Sequence, residues 1–378
     1  MTGKESSVMQ ALKNSRGIAL VAIIMMMMIL LTITGAGLLL SGLNLKTTSN
    51  FKLGTVALQA ADAGVQHSLM TIPWGTTFTY NSQATLLNAY AFAGGYTYTV
   101  TAINDSASPG GNSRAKLTAT ATGPNNTKKV ILAYVKRGWG GGPGAVYLPG
   151  AANTIETGFS GNSFLISGND TNVDGTPGPQ PPGLGIAVTD QATVTEMTNS
   201  TLTDGGLSSD QMANVTGAGG YPSVGVITSF SQTVTQVADG FLAFPHTDLP
   251  GGTQAGNQTW GTDASPQITR ITGDTKITGN ISGSGVLIVD GKLEIPGSVT
   301  FHGLIIARGK VSVEITGNAG IWGSIFINEQ TNQDPDKELD VRGNAHIYYS
   351  SQALSSVNNN WPATLPQPAR LLAWQEVM

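Results

Sequence analysis

The sequence predicts an α+β, mainly β chain in three parts. These are one long N-terminal helix able to cross a membrane, a small antiparallel sheet, and a right-handed parallel β-helix. Three observations carry the prediction. No charge stands between Ile18 and Leu45, a run of 28 residues. Period-two stretches separated by strong turn formers follow it. Glycines at 285, 303, 323 and 343 then lead similar apolar runs at intervals of 18, 20 and 20 residues.

The helix comes first. As α-helix, 28 residues measure roughly 42 Å at 1.5 Å each, enough to cross a bilayer core of about 30 Å with tilt. The apolar core of a secretory signal is shorter, roughly 7–15 residues, and ends in a small-residue cleavage site. Here a glycine, Gly17, stands before the run instead. Lys4, Lys13 and Arg16 precede it against Glu5 alone, which favours a cytoplasmic N-terminus, although Lys46 and Lys52 lie close on the far side. Gly35, Gly37, Gly42 and Ser41 are small residues suited to helix-on-helix packing in an apolar medium. Beyond Leu45, Leu53, Val56, Ala57, Ala60, Ala61, Gly64, Val65 and Leu69 recur at spacings of three and four, so the helix continues to about residue 70 with one apolar stripe. Pro73 ends it. A generic signal anchor would look the same up to this point.

The junction "SRG" followed by "IALVAIIMMMMILLTITGAGLLL" resembles the cleavage region of a type IV prepilin. Ala57-Leu-Gln-Ala60-Ala61-Asp62-Ala63 is similar to the A-x-x-A-A-[ED]-A stretch of PilX-type minor pilins. Together the two cover residues 13–70. The resemblance implies a leader of residues 1–17, cut by a prepilin peptidase between Gly17 and Ile18. Ile18 would then be methylated, and the helix of residues 18–70 would leave the inner membrane for a filament core. Loss of Lys4, Lys13, Arg16 and Glu5 would take the formal net charge from −4 to −6. Major pilins of this family carry Glu at the fifth mature position, where this chain has Ala22. PilX-type and tip subunits lack that Glu, so the resemblance implies a minor subunit with a priming, tip or adhesion role. Its partners would be other pilins and minor pilins. An alternative account is that another group makes the charge pairing, or that the pairing is dispensable.

Residues 71–137 read as a small antiparallel sheet. "YTYTVTAI", "AKLTATATG" and "KKVILAYVKR" alternate apolar and polar side chains, and "NDSASPGGNS" and "GPNNT" are turns. The helix's second half would lay its stripe on this sheet. Residues 138–183 read as a linker, "GWGGGPG", and first β segments. Residues 184–267 read as an insertion or small α/β lobe, with "SSDQMANV" as a short helix and "TVTQVADGFLAF" open between helix and strand. Residues 268–378 read as the β-helix, whose near-20-residue period is that of stacked rungs. Leu371, Leu372 and Trp374 are expected to plug its last rung. An antiparallel sandwich turning at "DGK" and "RGK" is the rival. The rungs are also similar to the "G-x-L-I-V-x-G-x-L" of PilX-type proteins that bear β-helical C-terminal domains.

Composition narrows the function. Charged residues are 11%, less than half the usual share, and Gly numbers 49, which suits a turn-rich β structure outside the cell. A net charge of −4 lacks the positive footprint that nucleic acid needs. Without Cys there is neither disulfide nor thiol chemistry. Asp170, Asn172, Asp174 and Gly175 match D-x-N-x-D-G, the first half of a calcium loop, but Pro181 stands where an EF-hand needs Glu. Either a non-helical calcium turn or an ordinary Asp/Asn turn fits. Asp334, Asp336, Glu338 and Asp340 cluster in a loop that reads as solvated. His67, His246, His302 and His346 show no metal-ligand spacing. Lys292, Glu294, Arg308 and Lys310 read as corner charges. No cofactor is expected apart from calcium at the Asp170 turn. The resulting expectation is a non-enzymatic pilin-like subunit of a type IV pilus or related filament, with a surface or glycan ligand open. A membrane-tethered β-helix carbohydrate-active enzyme is the alternative.

Overall fold

The computed structural model describes residues 5–105, 111–138, 142–150, 155–199, 206–308, 313–328 and 337–377, with side chains from residue 19 onward. One helix, α1 (Glu5–Thr71), runs through the apolar segment without a break. Its second half lies on an antiparallel sheet of β1 (Ala84–Phe92), β2 (Tyr96–Asn104), β3 (Arg114–Thr122) and β4 (Lys128–Arg137). The period-two alternation of β2 and β3 puts Tyr98, Val100, Leu117 and Ala119 inward, against Ala57, Ala60, Ala61 and Val65 of the helix. Those small helix residues let the backbone approach closely; a Cβ on Gly64 would stand 3.0 Å from the Tyr98 ring. β1 had no clear period-two signal. It is an edge strand with two register breaks, largely exposed, and Ala89 sits at positive φ.

Beyond β4 the chain enters a parallel solenoid, and it does so at residue 144 rather than 268. One turn is β5 (Gly144–Leu148), β6 (Thr157–Phe159) and β7 (Leu165–Ser167). On it stack β8 (Leu184–Val188) and β9 (Val215–Thr216), with helix α2 (Gln191–Met197) between them, and β10 (Val224–Val226) stacks in turn on β8. Helix α3 (Val234–Leu242) then runs back along the outside. The chain restarts with β11 (Thr247–Gln254) and β12 (Asn257–Trp260). About four regular turns follow in β13 (Gln267–Ile277), β14 (Asn280–Val289), β15 (Leu293–Ile295), β16 (Ser298–Ala307), β17 (Val313–Ile315), β18 (Asn318–Ile327), β19 (Leu339–Val341) and β20 (Asn344–Tyr349). The last of these turns stacks on the first made: β18 pairs with β5, β19 with β6 and β20 with β7.

Residues 184–267 are therefore not an insertion or separate lobe. β8 to β12 are rungs, too short to show a period of their own. "SSDQMANV" forms only a 3₁₀ turn at Met212–Asn214, and α3 starts with a full capping box at Thr233 and Gln236.

The rungs present three faces. The first halves of β14, β16 and β18, with β12 and β20, form a bare face. The second halves, with β5, β8 and β13, form a face covered by α3 and by α4 (Ser351–Asn360), where Phe241 meets Trp361. Covering explains why Val286–Val289, Leu304–Ala307 and Ile325–Ile327 are buried without alternation. The third face is β15, β17, β19 and β6. The corner between the bare and covered faces is made by Gly285, Gly303 and Gly323, which are stacked in register with φ of 119°, 140° and 146°. A Cβ there would fall on a carbonyl one rung earlier, that of Gln267 for Gly285, of Gly285 for Gly303 and of Gly303 for Gly323, which is why glycine leads these three repeats. Gly343 is not the fourth of the row: Tyr349 pairs with Gly323, and Gly343 only precedes β20.

The final strand corrects a second expectation. β21 (Ala369–Val377) does not plug the solenoid; it leaves it and pairs antiparallel with β4 as the fifth strand of the first sheet. Leu372 and Trp374 are 42% and 49% exposed, which no plug would be. The edge of β4 offered a row of free backbone groups, and Lys129 pairs with Glu376 across it.

Candidate functional site: the apolar helix and the head it carries

From Leu20 to Leu45, every large apolar side chain of α1 is at least 44% exposed. The most apolar window has a mean hydropathy of 2.5 and none of it is buried, so the helix is long and apolar enough to cross a membrane. Its two threonine hydroxyls are satisfied internally: Thr32 donates to the Ile29 carbonyl and Thr34 to the Leu30 carbonyl, each at 2.8 Å. This half therefore offers an unbroken apolar surface with its backbone paired inside the helix. The other half is the spine of the head. His67 there donates to or accepts from the Tyr98 hydroxyl at 3.0 Å and packs edge-on against Tyr90.

Sheet and solenoid are clamped together below the helix end. Gly75 and Gln367 exchange backbone hydrogen bonds at 3.1 and 3.0 Å, and Ser231 donates to the Trp74 carbonyl at 2.6 Å. Arg137, at the end of β4, donates to the carbonyls of Pro73 at 2.7 Å and Gln367 at 3.1 Å. Its guanidinium lies 4.2 Å over the Phe78 ring. Burial works against its charge, and the Tyr80 hydroxyl group partly restores it. No signal short of the three-dimensional contacts marks Arg137 in the sequence.

The predicted sites fall as follows. Gly17 and Ile18 lie within α1, but their side chains are outside the described residues. Asp170 is buried and turned inward. Its carboxylate accepts from the Ser351 amide, the Ser351 hydroxyl and the Gln180 amide, each at 2.8 Å, and so docks on the first residue of α4. Asn172 donates to Thr176 Oγ1 at 3.0 Å, and Asp174 accepts from Thr176 N at 2.9 Å and Oγ1 at 2.6 Å. Those two Thr176 bonds hold the exposed Asp174 carboxyl below its ordinary range. Asn172 and Asp174 thus share Thr176, whereas Asp170 turns away to Ser351 and Gln180. Among the described residues, no three His, Cys, Asp or Glu groups gather as for a metal.

Asp334, Asp336 and Lys310 lie outside the described residues. Glu338 and Asp340 are buried: Glu338 accepts from the Glu156 amide, and Asp340 holds Arg342 through both oxygens.

The corner charges form two ladders of alternating sign. Asp290 sits between Arg270, at 2.8 Å, and Arg308, which reaches on to Asp239. Burial alone would raise the Asp290 carboxyl, but the two guanidinium groups outweigh it and hold it low. On the third face Glu294 bridges Lys276 at 3.1 Å and Lys292 at 3.2 Å, and Lys292 reaches Glu314 at 3.5 Å. Sequence analysis also missed a ring row on the bare face. His302, Trp322 and Tyr348 stand in one register column, and the first two directly precede the repeat glycines.

No family model and no curated protein matches the chain. Among solved structures it is similar to the crystal structure of the competence-associated pilin ComZ from Thermus thermophilus. The identity is 11% and the TM-score 0.24, over 86% of this chain and 97% of that one. A likeness that slight carries no argument.

Proposed function

We propose that this chain is a non-enzymatic, minor pilin-like subunit of a type IV pilus or related filament. It would wait in the bacterial inner membrane and display its solenoid at the cell surface after assembly. The observation that carries this reading is the division of α1. One half has apolar side chains exposed on all sides, and the other is buried on a small antiparallel sheet. A soluble protein has no use for the first half, and a simple anchor has no need to run on into a domain core. Prepilin peptidase would cut between Gly17 and Ile18, Ile18 would be methylated, and other pilins would surround the helix. Ala22, in place of a charged residue, fits a PilX-type minor subunit near the tip, serving priming or adhesion.

The test is N-terminal sequencing and intact mass of the protein recovered from sheared filaments. A start at methylated Ile18 is expected, and Gly17→Val should trap the uncut form in the membrane. An intact leader on protein in filaments would overturn the reading.

A further inference from the structure

The three faces of the solenoid differ in chemistry. One is covered by α3 and α4. The third face carries the Lys276–Glu294–Lys292–Glu314 ladder. The bare face is covered by no helix, and its own strands carry no charge. On β12, β14, β16, β18 and β20 its outward positions fall in three register columns. One runs Asn257, Asn280, Ser298, Asn318, Asn344 and the next Thr259, Ser282, Thr300, Gly320, His346. The last runs Ser284, His302, Trp322, Tyr348. No Lys, Arg, Asp or Glu occurs in any of them. At its border Asp263, from the adjoining loop, engages His302 at 2.9 Å.

Hydroxyls and amides of the first two columns line a groove of about 450 Å³ over β12, β14 and β16. The rings stand beside it: Gly320 follows Thr300 in the second column, and the Trp322 ring lies over Gly320. Trp322 and Tyr348 stack at 5.3 Å between centroids, and His302 meets Trp322 edge-on at 5.4 Å. Gly320 keeps the indole in place, because a Cβ there would stand 2.8 Å from its far edge. Trp322 Nε1 is buried without a hydrogen-bond partner, a cost the fold itself does not offset.

The geometry points to the bare face as a binding site for a neutral polysaccharide. Uncharged hydroxyls and amides in rows match a ligand that is all hydroxyl. A rung spacing of about 4.8 Å repeats the same donors and acceptors along a chain-like ligand. Aromatic rings supply apolar area with a polar tip, the combination that suits the C–H faces of sugars. An anionic polymer would have no cation to meet there, and a protein interface of this flatness would lack an apolar centre.

The inference goes beyond the filament reading and does not depend on it, since purified protein reports binding whether or not it enters a filament. The full chain, held in a detergent without a sugar headgroup, is run in native gels. These contain hydroxyethylcellulose, galactomannan, soluble starch or polygalacturonate. At least one neutral polymer should retard it and polygalacturonate should not. Trp322→Ala should weaken that retardation on the order of tenfold or more, as expected of an aromatic anchor. Ser282→Arg, at an exposed groove position, should block it while leaving the melting temperature close to that of the parent. Glu314→Gln on the charged face should leave it unchanged. Three outcomes overturn the proposal: no retardation by any neutral polymer, retardation by polygalacturonate alone, or retardation that survives both Trp322→Ala and Ser282→Arg.

Discussion

Replacing Gly303 with Ala tests what the repeat glycines do. Two costs apply. The backbone at φ 140° disfavours any side chain, by about 1–3 kcal/mol. The new Cβ also meets the carbonyl of Gly285 in the rung before. That atom is backbone in a stacked ladder, so the rungs must part. Gly303 is paired on both sides, with Gly285 and Gly323. Weakening two ladder bonds adds about 1 kcal/mol each. The sum is about 3–5 kcal/mol, or roughly 6–20 °C in melting temperature for a unit of 150–250 residues. Gly273→Ala separates the two costs. Gly273 also has positive φ, 105°, but its Cβ would meet open space. Melting of the full chain in detergent, followed by far-ultraviolet circular dichroism and tryptophan fluorescence, should place Gly303→Ala about 4–8 °C below Gly273→Ala. Equal melting temperatures would show that the glycines serve backbone conformation alone and that close rung stacking is not what selects them.

Acid should loosen the solenoid through its ladders. The folded fold holds Asp290 and Glu294 below the ordinary carboxyl range, so their contribution is complete above about pH 4. It is lost as pH falls through the lower folded value. Melting temperature should drop below about pH 4, and Asp290→Asn should lower it at pH 7 while flattening that acid dependence. A variant as acid-sensitive as the parent would remove Asp290 from the account. Calcium at Asp170, Asn172 and Asp174 is tested by calorimetry on the full chain with and without chelator. No heat is the expected result, because Ser351 and Gln180 already take the Asp170 carboxylate; heat that Asp174→Ala abolishes would show that calcium draws the turn together.

What was legible follows from the range of each interaction. The long apolar helix, the β2–β4 meander and the rungs after Ile268 are local patterns of charge, alternation and period, and those elements are present; the repeat fails only at Gly343, where Tyr349 takes the place opposite Gly323. The early rungs were not legible. β6, β7 and β10 are three residues each and β9 is two, shorter than any window that can show a period. Their partners lie far along the chain, as with Val146 against Ile325. The calcium pattern was legible as a turn. Its docking on α4 was not, because Ser351 lies 181 residues away.

β21 shows the same limit and carries a further consequence. Its residues read equally well as a cap, since Leu371, Leu372 and Trp374 are what a solenoid end would want. What decides is the open edge of β4, to which Lys129 adds a charge for Glu376. The chain leaves the head at Arg137 and returns to it at Ala369, and Arg137 itself holds the carbonyl of Gln367 as the chain comes back. The solenoid is thus tied to the head at both of its ends. A display domain on a single linker would swing; one fixed at two points of the same sheet keeps its bare face in a set direction relative to α1. In a filament, where α1 would fix the subunit, that geometry would set which way the face points, and this is the property a displayed binding surface requires.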